Sequence, residues 1–356
     1  MDFGVKKPGV TSSQVAEHAG VSQSAVSRTF TPGASISPKT RQKVLASAKV
    51  LGYRPNAIAR SLITSRSRII AVVMAYLENL FYPDVLEELG RALAAENYHL
   101  LLFTGFMDRD SDPVFDQLMQ YRVDGIILAS TSLSSELSEE CATAGIPVVL
   151  FNRTTERDAV SSVTTRNKEG GKRIAEFLVA GGHKSFGYIA GLENSSTNRD
   201  RQQGFVEALA AHGFDDVIIE TGNYSRDDAQ EAARAMLSRP ERPEALFVAN
   251  DHMAVAVMDV ARYEFGLKIP EDLSIVGYDD VGPARWTSYG ITSMSQPVKR
   301  MVEATVDILM DQIASGEIEA EHRILNGELI VRTSARLPSS GIVERDGQQI
   351  YRPKEA

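Results

Sequence analysis

Gln23, Ser24, Ser27 and Arg28 recur at helical spacing between Ser22 and Phe30, and all are hydrogen-bond donors or acceptors with none acidic. A helix with such a face can bond the base edges of a DNA major groove, where each base pair shows its own donor and acceptor pattern. The other side of the same segment is apolar, with Ala25, Val26 and Phe30. Ser22 is a capping residue for this helix. A first helix must precede it, because Thr11 followed by Gln14 is a capping box. Val15 and Ala19 form its inner face, Ala16 is small enough for a close crossing, and Gly20 ends it where a left-handed residue costs little. Two short helices with this turn make a helix-turn-helix, although an ordinary helical hairpin fits the pattern alone.

Charge sharpens the choice. Residues 1–66 carry ten Lys and Arg against Asp2 and Glu17, a net +8, so the net −9 of the chain leaves −17 for the remainder. A basic head on an acidic body suits a protein in which only the head meets a polyanion. The basic segment has no face of large apolar residues, which favours nucleic acid over a membrane surface. With 356 residues the chain exceeds one core, and two or three domains are expected. The 43% apolar content is that of a soluble globular protein, and no apolar run reaches membrane-spanning length. MDFGVKKPGV contains no apolar signal region, so a cytoplasmic protein is expected. The single cysteine, Cys141, excludes a disulfide framework, and six scattered histidines offer no metal motif. No cofactor is expected.

Ser37 and Pro38 open a third helix to about Leu51, in which Val44, Leu45 and Ala48 close a three-helix core while Arg41 and Lys43 face outward. Beyond Gly52, Asn56 to Ile63 has the length of about two helical turns, too short to be stable alone in water. It reads as a linker, or as a helix that forms only against a twin or against DNA. From Arg68 onward apolar runs alternate with amphipathic segments. Strand-like runs cover 69–75, 99–103, 125–130, 147–151, 186–191, 217–220, 245–250 and 273–280. Helical patterns lie near 83–97, 113–121, 134–144, 167–181, 199–212, 226–238, 251–265 and 298–315. That alternation means βαβ units, either one barrel or two open parallel sheets. The polar segment 153–167 and the segment ITSMSQP (291–297) resemble crossings between lobes and favour two sheets.

The strings VAEHAGVSQSAVSR, SPKTRQKVLASAKVLGYRPNAIARSL, GYIAGLE with RQQGF, ALFVANDHMA and SIVGYDD resemble the lactose-repressor (LacI/GalR) family over about residues 8–337. The resemblance implies an α/β chain: a small all-α helix-turn-helix head (1–54), a hinge helix and linker (55–67), and a two-lobed body like the periplasmic binding proteins (68–337). The first lobe would hold about 68–162 and 296–322, the second about 163–295 and 323–337. The tail 338–356 is polar, lacks leucine heptads and is expected to be disordered, which disfavours a tetramer.

By the same resemblance the chain is a homodimer that grips a palindromic operator in double-stranded DNA. Gln23, Ser24 and Arg28 would read bases, and Thr11, Ser22, Ser27, Thr31, Tyr53 and Asn56 would meet phosphates. Ala59 and Leu62 would enter the minor groove, Leu62 as a wedge. Ala25 stands where other members often have threonine, and Thr31 replaces the usual asparagine. A small-molecule effector, a sugar or sugar derivative, would lie at the C-terminal ends of the strands. Arg201, Asp279, Asn250, Asn152 and Arg153 would supply its polar contacts, and Phe81, Tyr82 and Tyr224 its aromatic walls. Ser195 replaces the arginine of the purine-binding member, and Arg166 replaces the aspartate that many members carry beside the position of Asn167. The function implied is a ligand-responsive transcriptional regulator, most simply a repressor. Two alternatives are a solute-binding protein of a transport system and a regulator controlled by a protein co-regulator. An enzyme is disfavoured: Gly170-Gly171 lacks dinucleotide spacing, and no nucleophile elbow or metal motif is present.

Overall fold

A computed structural model describes residues 10–31, 33–54, 66–74, 77–104, 118–129, 141, 143–155 and 159–353. The chain divides into two compact units, Met1–Ser67 and Arg68–Ala356. Asn56, Ala59 and Leu62, with the expected hinge helix, lie outside the described residues, as do most of the helical patterns near 113–121 and 134–144.

In the first unit, α1 (Ser12–Ala19) begins with the capping box: Thr11 Oγ1 accepts the Gln14 amide and Gln14 Oε1 accepts the Thr11 amide. Gly20 closes it in the left-handed conformation at φ 63°. Ser22 caps α2 (Gln23–Thr29), and Ser37 caps α3 (Pro38–Leu51), which Gly52 ends at φ 69°. Val15, Ala16, Ala19, Val26, Val44 and Ala48 form the core, with Phe30 and Tyr53 packed against it. Leu45 is not part of it. Helical periodicity turns that side chain outward, 47% exposed, and brings Ser47 inward to meet His18 Nδ1 at 3.0 Å.

The second unit is built on two sheets. The first has strand order β11-β5-β4-β3-β1-β2, with β1 (Ile69–Met74), β2 (His99–Thr104), β3 (Gly125–Ala129), β4 (Val148–Phe151), β5 (Ser161–Thr165) and β11 (His322–Leu325), every pair parallel. The second has order β13-β14-β12-β10-β9-β8-β6-β7. Its parallel part is β6 (Phe186–Ala190), β7 (Val217–Thr221), β8 (Ala245–Val248), β9 (Ser274–Asp279) and β10 (Thr292–Ser295). β12 (Leu329–Val331), β13 (Ile342–Arg345) and β14 (Gln348–Tyr351) extend it antiparallel. Helices α4 (Phe81–Ala95) and α9 (Val298–Ser315) pack together beside the first sheet. α5 (Asn167–Ala180), α6 (Ser196–Ala211), α7 (Arg226–Leu237) and α8 (Asp251–Asp259) belong with the second.

Two expectations need correction. The lobe boundaries shift, because β5 places residues through Thr165 in the first sheet and β11 holds 322–325 there as well. The described part of the tail, residues 338–353, is not disordered. Asp346 and Gly347, both at positive φ (50° and 75°), form a two-residue hairpin turn whose Asp-Gly sequence is the signal for it. Ile350 and Tyr351 are buried, and the Tyr351 ring meets the Phe177 ring at 5.2 Å, which supplies the apolar anchor that composition alone hides. Arg345 and Arg352 both donate to Glu328 Oε1, at 3.1 and 2.9 Å.

Removing residues 338–356 therefore uncovers the edge of β12 and one side of Phe177. We expect the truncated chain to unfold several degrees below the full chain by differential scanning calorimetry; a loss-free truncation would mean that the hairpin contributes nothing to the body's stability.

Candidate functional site

In the first unit, Gln23, Ser24, Ser27 and Arg28 all stand exposed on one side of α2, away from the buried Val26 and Thr29. Ser22 and Thr11 are exposed beside them, and Thr31 and Tyr53 are half-buried. Gln23 Nε2 donates to Ser12 Oγ at 2.9 Å, so the first residue of α1 borders the same surface. Capping by Ser22 fixes where α2 starts and hence which residues face outward.

In the second unit, all eight residues expected at an effector site line one small space: Phe81 and Tyr82 from the start of α4, Asn152 and Arg153 after β4, Arg201 on α6, Tyr224 after β7, Asn250 after β8 and Asp279 at the end of β9. Asn79 and Thr197, which the sequence reading missed, line it too. Asn79 Oδ1 accepts the Phe81 amide at 3.1 Å, and Thr197 Oγ1 joins Tyr224 Oη at 3.1 Å to Ser195 Oγ at 2.8 Å. The side chains close on one another and leave about 10 Å³, roughly room for one water. Phe81 and Asp279 also border a larger hollow of about 320 Å³, whose walls include Asp84, Glu87, Glu88 and Lys299.

Arg201 is the centre. Its side chain is 2% exposed, and its cation is met on every side. Nε donates to Asn167 Oδ1 (2.8 Å), Nη1 to the Ala249 carbonyl (2.6 Å) and Nη2 to Asp279 Oδ1 (3.5 Å), while the guanidinium lies 3.6 Å from the centre of the Tyr278 ring. Two glycines bring it there. A Cβ on Gly171 would sit 2.1 Å from the Arg201 carbonyl oxygen, and one on Gly204 would sit 1.9 Å from that of Lys168. α5 and α6 thus touch backbone to backbone. Gly170 has a related reason, since its Cβ would meet Tyr278 Oη at 2.6 Å.

Asp279 has φ 106° and Asp280 φ 58°, two successive non-glycine residues in the left-handed half of conformational space. Asn152 (58°) and Tyr224 (58°) share that condition, and such strain gathers where a site must be aimed. Burial pushes the Asp279 carboxyl up to about 6, against the pull of Arg201 and Gln296. Gln296 Nε2 donates to Asp279 Oδ1 at 2.7 Å, and its Oε1 accepts from Thr165. Asn250 caps α8, its Oδ1 accepting the Met253 amide, but its Nδ2 is buried without a partner. Asn152 Oδ1 is likewise buried and unpartnered. Phe81 and Tyr82 belong to the core as well as to the cleft, 2% and 3% exposed. Ser195, which stands in place of the purine-binding member's arginine, caps α6, and Arg166 is exposed at a separate hollow beside Lys168 and Lys172.

Residues 13–56 match the model of the bacterial regulatory proteins of the lacI family, and residues 175–335 match that of the periplasmic binding protein-like domain. The HTH-type transcriptional regulator CelR of Thermobifida fusca is 32% identical over 333 residues, 91% of this chain and 98% of that protein. The chain belongs to the lacI family. Among solved structures, a CelR–cellobiose complex superimposes with a TM-score of 0.70 at 30% identity, covering 92% of this chain and 100% of that one. A lac repressor dimer bound to operator and the anti-inducer ONPF superimposes with a TM-score of 0.81 at 26% identity, covering 92% and 99%. As a lacI-family member the chain is a DNA-binding transcriptional regulator and not an enzyme. Among the described residues no helix is long and apolar enough to cross a membrane.

The raised carboxyl of Asp279 has a stability consequence of definite sign. The folded state holds this proton more tightly than the unfolded chain does, so the contribution is complete below pH 3.8 and is lost as pH rises to about 6. Its size is no more than about 3 kcal/mol. Compared with Asp279→Asn, the natural protein should lose stability between pH 4 and 6 and run parallel to the variant above that, as measured by urea unfolding at each pH. Parallel curves throughout would place the Asp279 carboxyl at its ordinary value.

Proposed function

We propose that this regulator acts as a cytoplasmic homodimer whose grip on a palindromic operator is set by a sugar or sugar derivative held between the lobes. The observation that carries this reading is the pair of buried, unpartnered amide atoms. Asn152 Oδ1 follows a strand of the first sheet, and Asn250 Nδ2 follows a strand of the second. Leaving a buried polar group without a partner costs about 1–3 kcal/mol. A polyhydroxylated ligand offers each hydroxyl as donor and acceptor at once, so it answers both amides and joins the two lobes. Asp279 and Arg201 add a carboxylate and a guanidinium for neighbouring hydroxyls, and Phe81, Tyr82 and Tyr224 supply ring faces.

Entry of such a ligand must part side chains that now leave only about 10 Å³. Binding therefore favours one lobe arrangement over another, which is the differential affinity that an allosteric response requires. A coupling of about 1–3 kcal/mol changes operator affinity roughly 5- to 150-fold. The responding element is the segment of Asn56, Ala59 and Leu62 between head and body, with Ala59 and Leu62 entering the minor groove. Gln23, Ser24 and Arg28 read the bases, and Thr11, Ser22, Ser27, Thr31 and Tyr53 fix the head on phosphates.

Two measurements test this. Because a relative in the family is known in complex with cellobiose, a mobility-shift titration begins with that disaccharide and extends to monosaccharides, polyols, sugar acids and sugar phosphates. At least one is expected to move operator affinity 5-fold or more, and the effect should vanish in Asp279→Asn; no response to any of them contradicts the effector reading. Arg28→Ala should abolish discrimination at one base pair per half-site, about 1–3 kcal/mol, while other positions keep theirs. Equal weakening on every sequence would make Arg28 a phosphate contact instead.

A further inference from the structure

We propose that Asp251, which does not itself line the cleft, is the positioning residue that aims Asp279 into it. The inference rests on the reading of Asp279 as an effector contact. Asp279 and Asp280 follow one another at φ 106° and 58°, a backbone path that side-chain-bearing residues adopt only when their surroundings over-determine it. Asp251 supplies that determination from the start of α8. Its Oδ2 accepts the Val281 amide at 3.1 Å, and its two oxygens lie 2.8 and 2.9 Å from Ser293 Oγ. Ser293 Oγ in turn accepts the Asp280 amide at 3.1 Å. Two successive backbone N–H groups of the turn are thus held by one carboxyl, one directly and one through a hydroxyl.

The room for that carboxyl is specific. Asp251 is fully buried, and a Cβ on Gly277 would lie 1.9 Å from its Oδ1, so β9 leaves out a side chain where Asp251 enters. Burial and the carboxylates of Asp279 and Asp280 hold the Asp251 carboxyl well above its usual range. Asp251 follows Asn250 directly, which lines the cleft and whose Nδ2 is buried without a partner. The same turn of α8 therefore fixes Asn250 and Asp279 relative to each other, one as donor and one as acceptor.

The Asp279 carboxyl reports its own position through its titration, because burial beside Arg201 and Gln296 sets it at about 6. Carboxyl-carbon NMR of the full chain labelled at aspartate follows it, its signal identified by loss in Asp279→Asn. The natural protein should titrate near 6. Ser293→Ala and Asp251→Ala should each release the turn and bring the midpoint down towards 3.8, whereas Asp251→Asn, the uncharged isostere, should keep it near 6. A folded Ser293→Ala or Asp251→Ala protein with the Asp279 midpoint unmoved overturns the proposal, even if its melting temperature falls. Should Asp251→Ala fail to fold, Ser293→Ala decides alone. No effector is added, so failure to find a sugar ligand would count against the cleft's function and leave this titration standing.

Discussion

A guanidinium taken out of water must have its charge answered on all sides, or the site that buries it does not form. Arg201 meets that demand by drawing together pieces that are distant in the chain: Asn167 at the head of α5, the Ala249 carbonyl after β8, Asp279 at the end of β9 and the face of Tyr278. The demand explains the glycines around it. Only with Gly171 and Gly204 bare can α5 and α6 approach closely enough to bring the base of Arg201 to this point. It also sets the polarity of the cleft. Three of the five N–H donors of Arg201 are spoken for, which leaves two beside Asp279 and the two asparagines.

The two asparagines divide the labour of the lobes. Asn152 is carried by the first sheet and Asn250 by the second, and each presents a single unanswered atom. One accepts and the other donates, so water, a hydroxyl or an amide satisfies them equally in type. For the proposed effector, what would separate it from water is reach: a ring with several hydroxyls would bond both at once and also cover Tyr224 and Phe81. Selectivity then depends on geometry more than on charge.

Legibility in the sequence followed the kind of force involved. The head was readable nearly residue by residue, because its caps at Thr11, Ser22 and Ser37 and its stops at Gly20 and Gly52 are local. Leu45 misled because an apolar side chain was assigned inward against the period that places Ser47 there. In the body, strands made of apolar runs stood out, but β5 and β10 did not. SSVTT and TSMS are buried through hydroxyls, whose bonds go to distant groups such as Gln312, His322, Asp251 and Arg332. No local pattern announces such partners. The cleft was legible through family resemblance alone, and Asn79, Thr197 and Gln296 escaped because their roles arise from what the fold brings beside them. The tail hairpin escaped for a different reason. Its Asp346-Gly347 dipeptide is a turn signal, but the strands it joins are polar, and the burial of Ile350 and Tyr351 arises only from pairing with β12.

Motion of one lobe against the other must occur where the chain passes between the sheets, at residue 166, at 296–297 and at 326–328. These passages are bonded to one another or to the strands beside them. The Arg166 amide donates to the Leu325 carbonyl, the Ser295 amide to the Glu328 carbonyl, and the Glu328 amide to Ser295 Oγ. A Cβ on Gly327 would lie 2.0 Å from the Ser295 carbonyl oxygen, so the strands run as close as backbone allows. The three passages are thus tied into one bonded bundle. Gln296 is part of it, and through Asp279 and Thr165 it connects the hinge to the cleft on one side and to the first sheet on the other. Glu328 is part of it too and receives both arginines of the tail hairpin. Asp279 is tied to this bundle both by the Gln296 side chain and by backbone pairing, its carbonyl accepting the Gln296 amide beside Ser295.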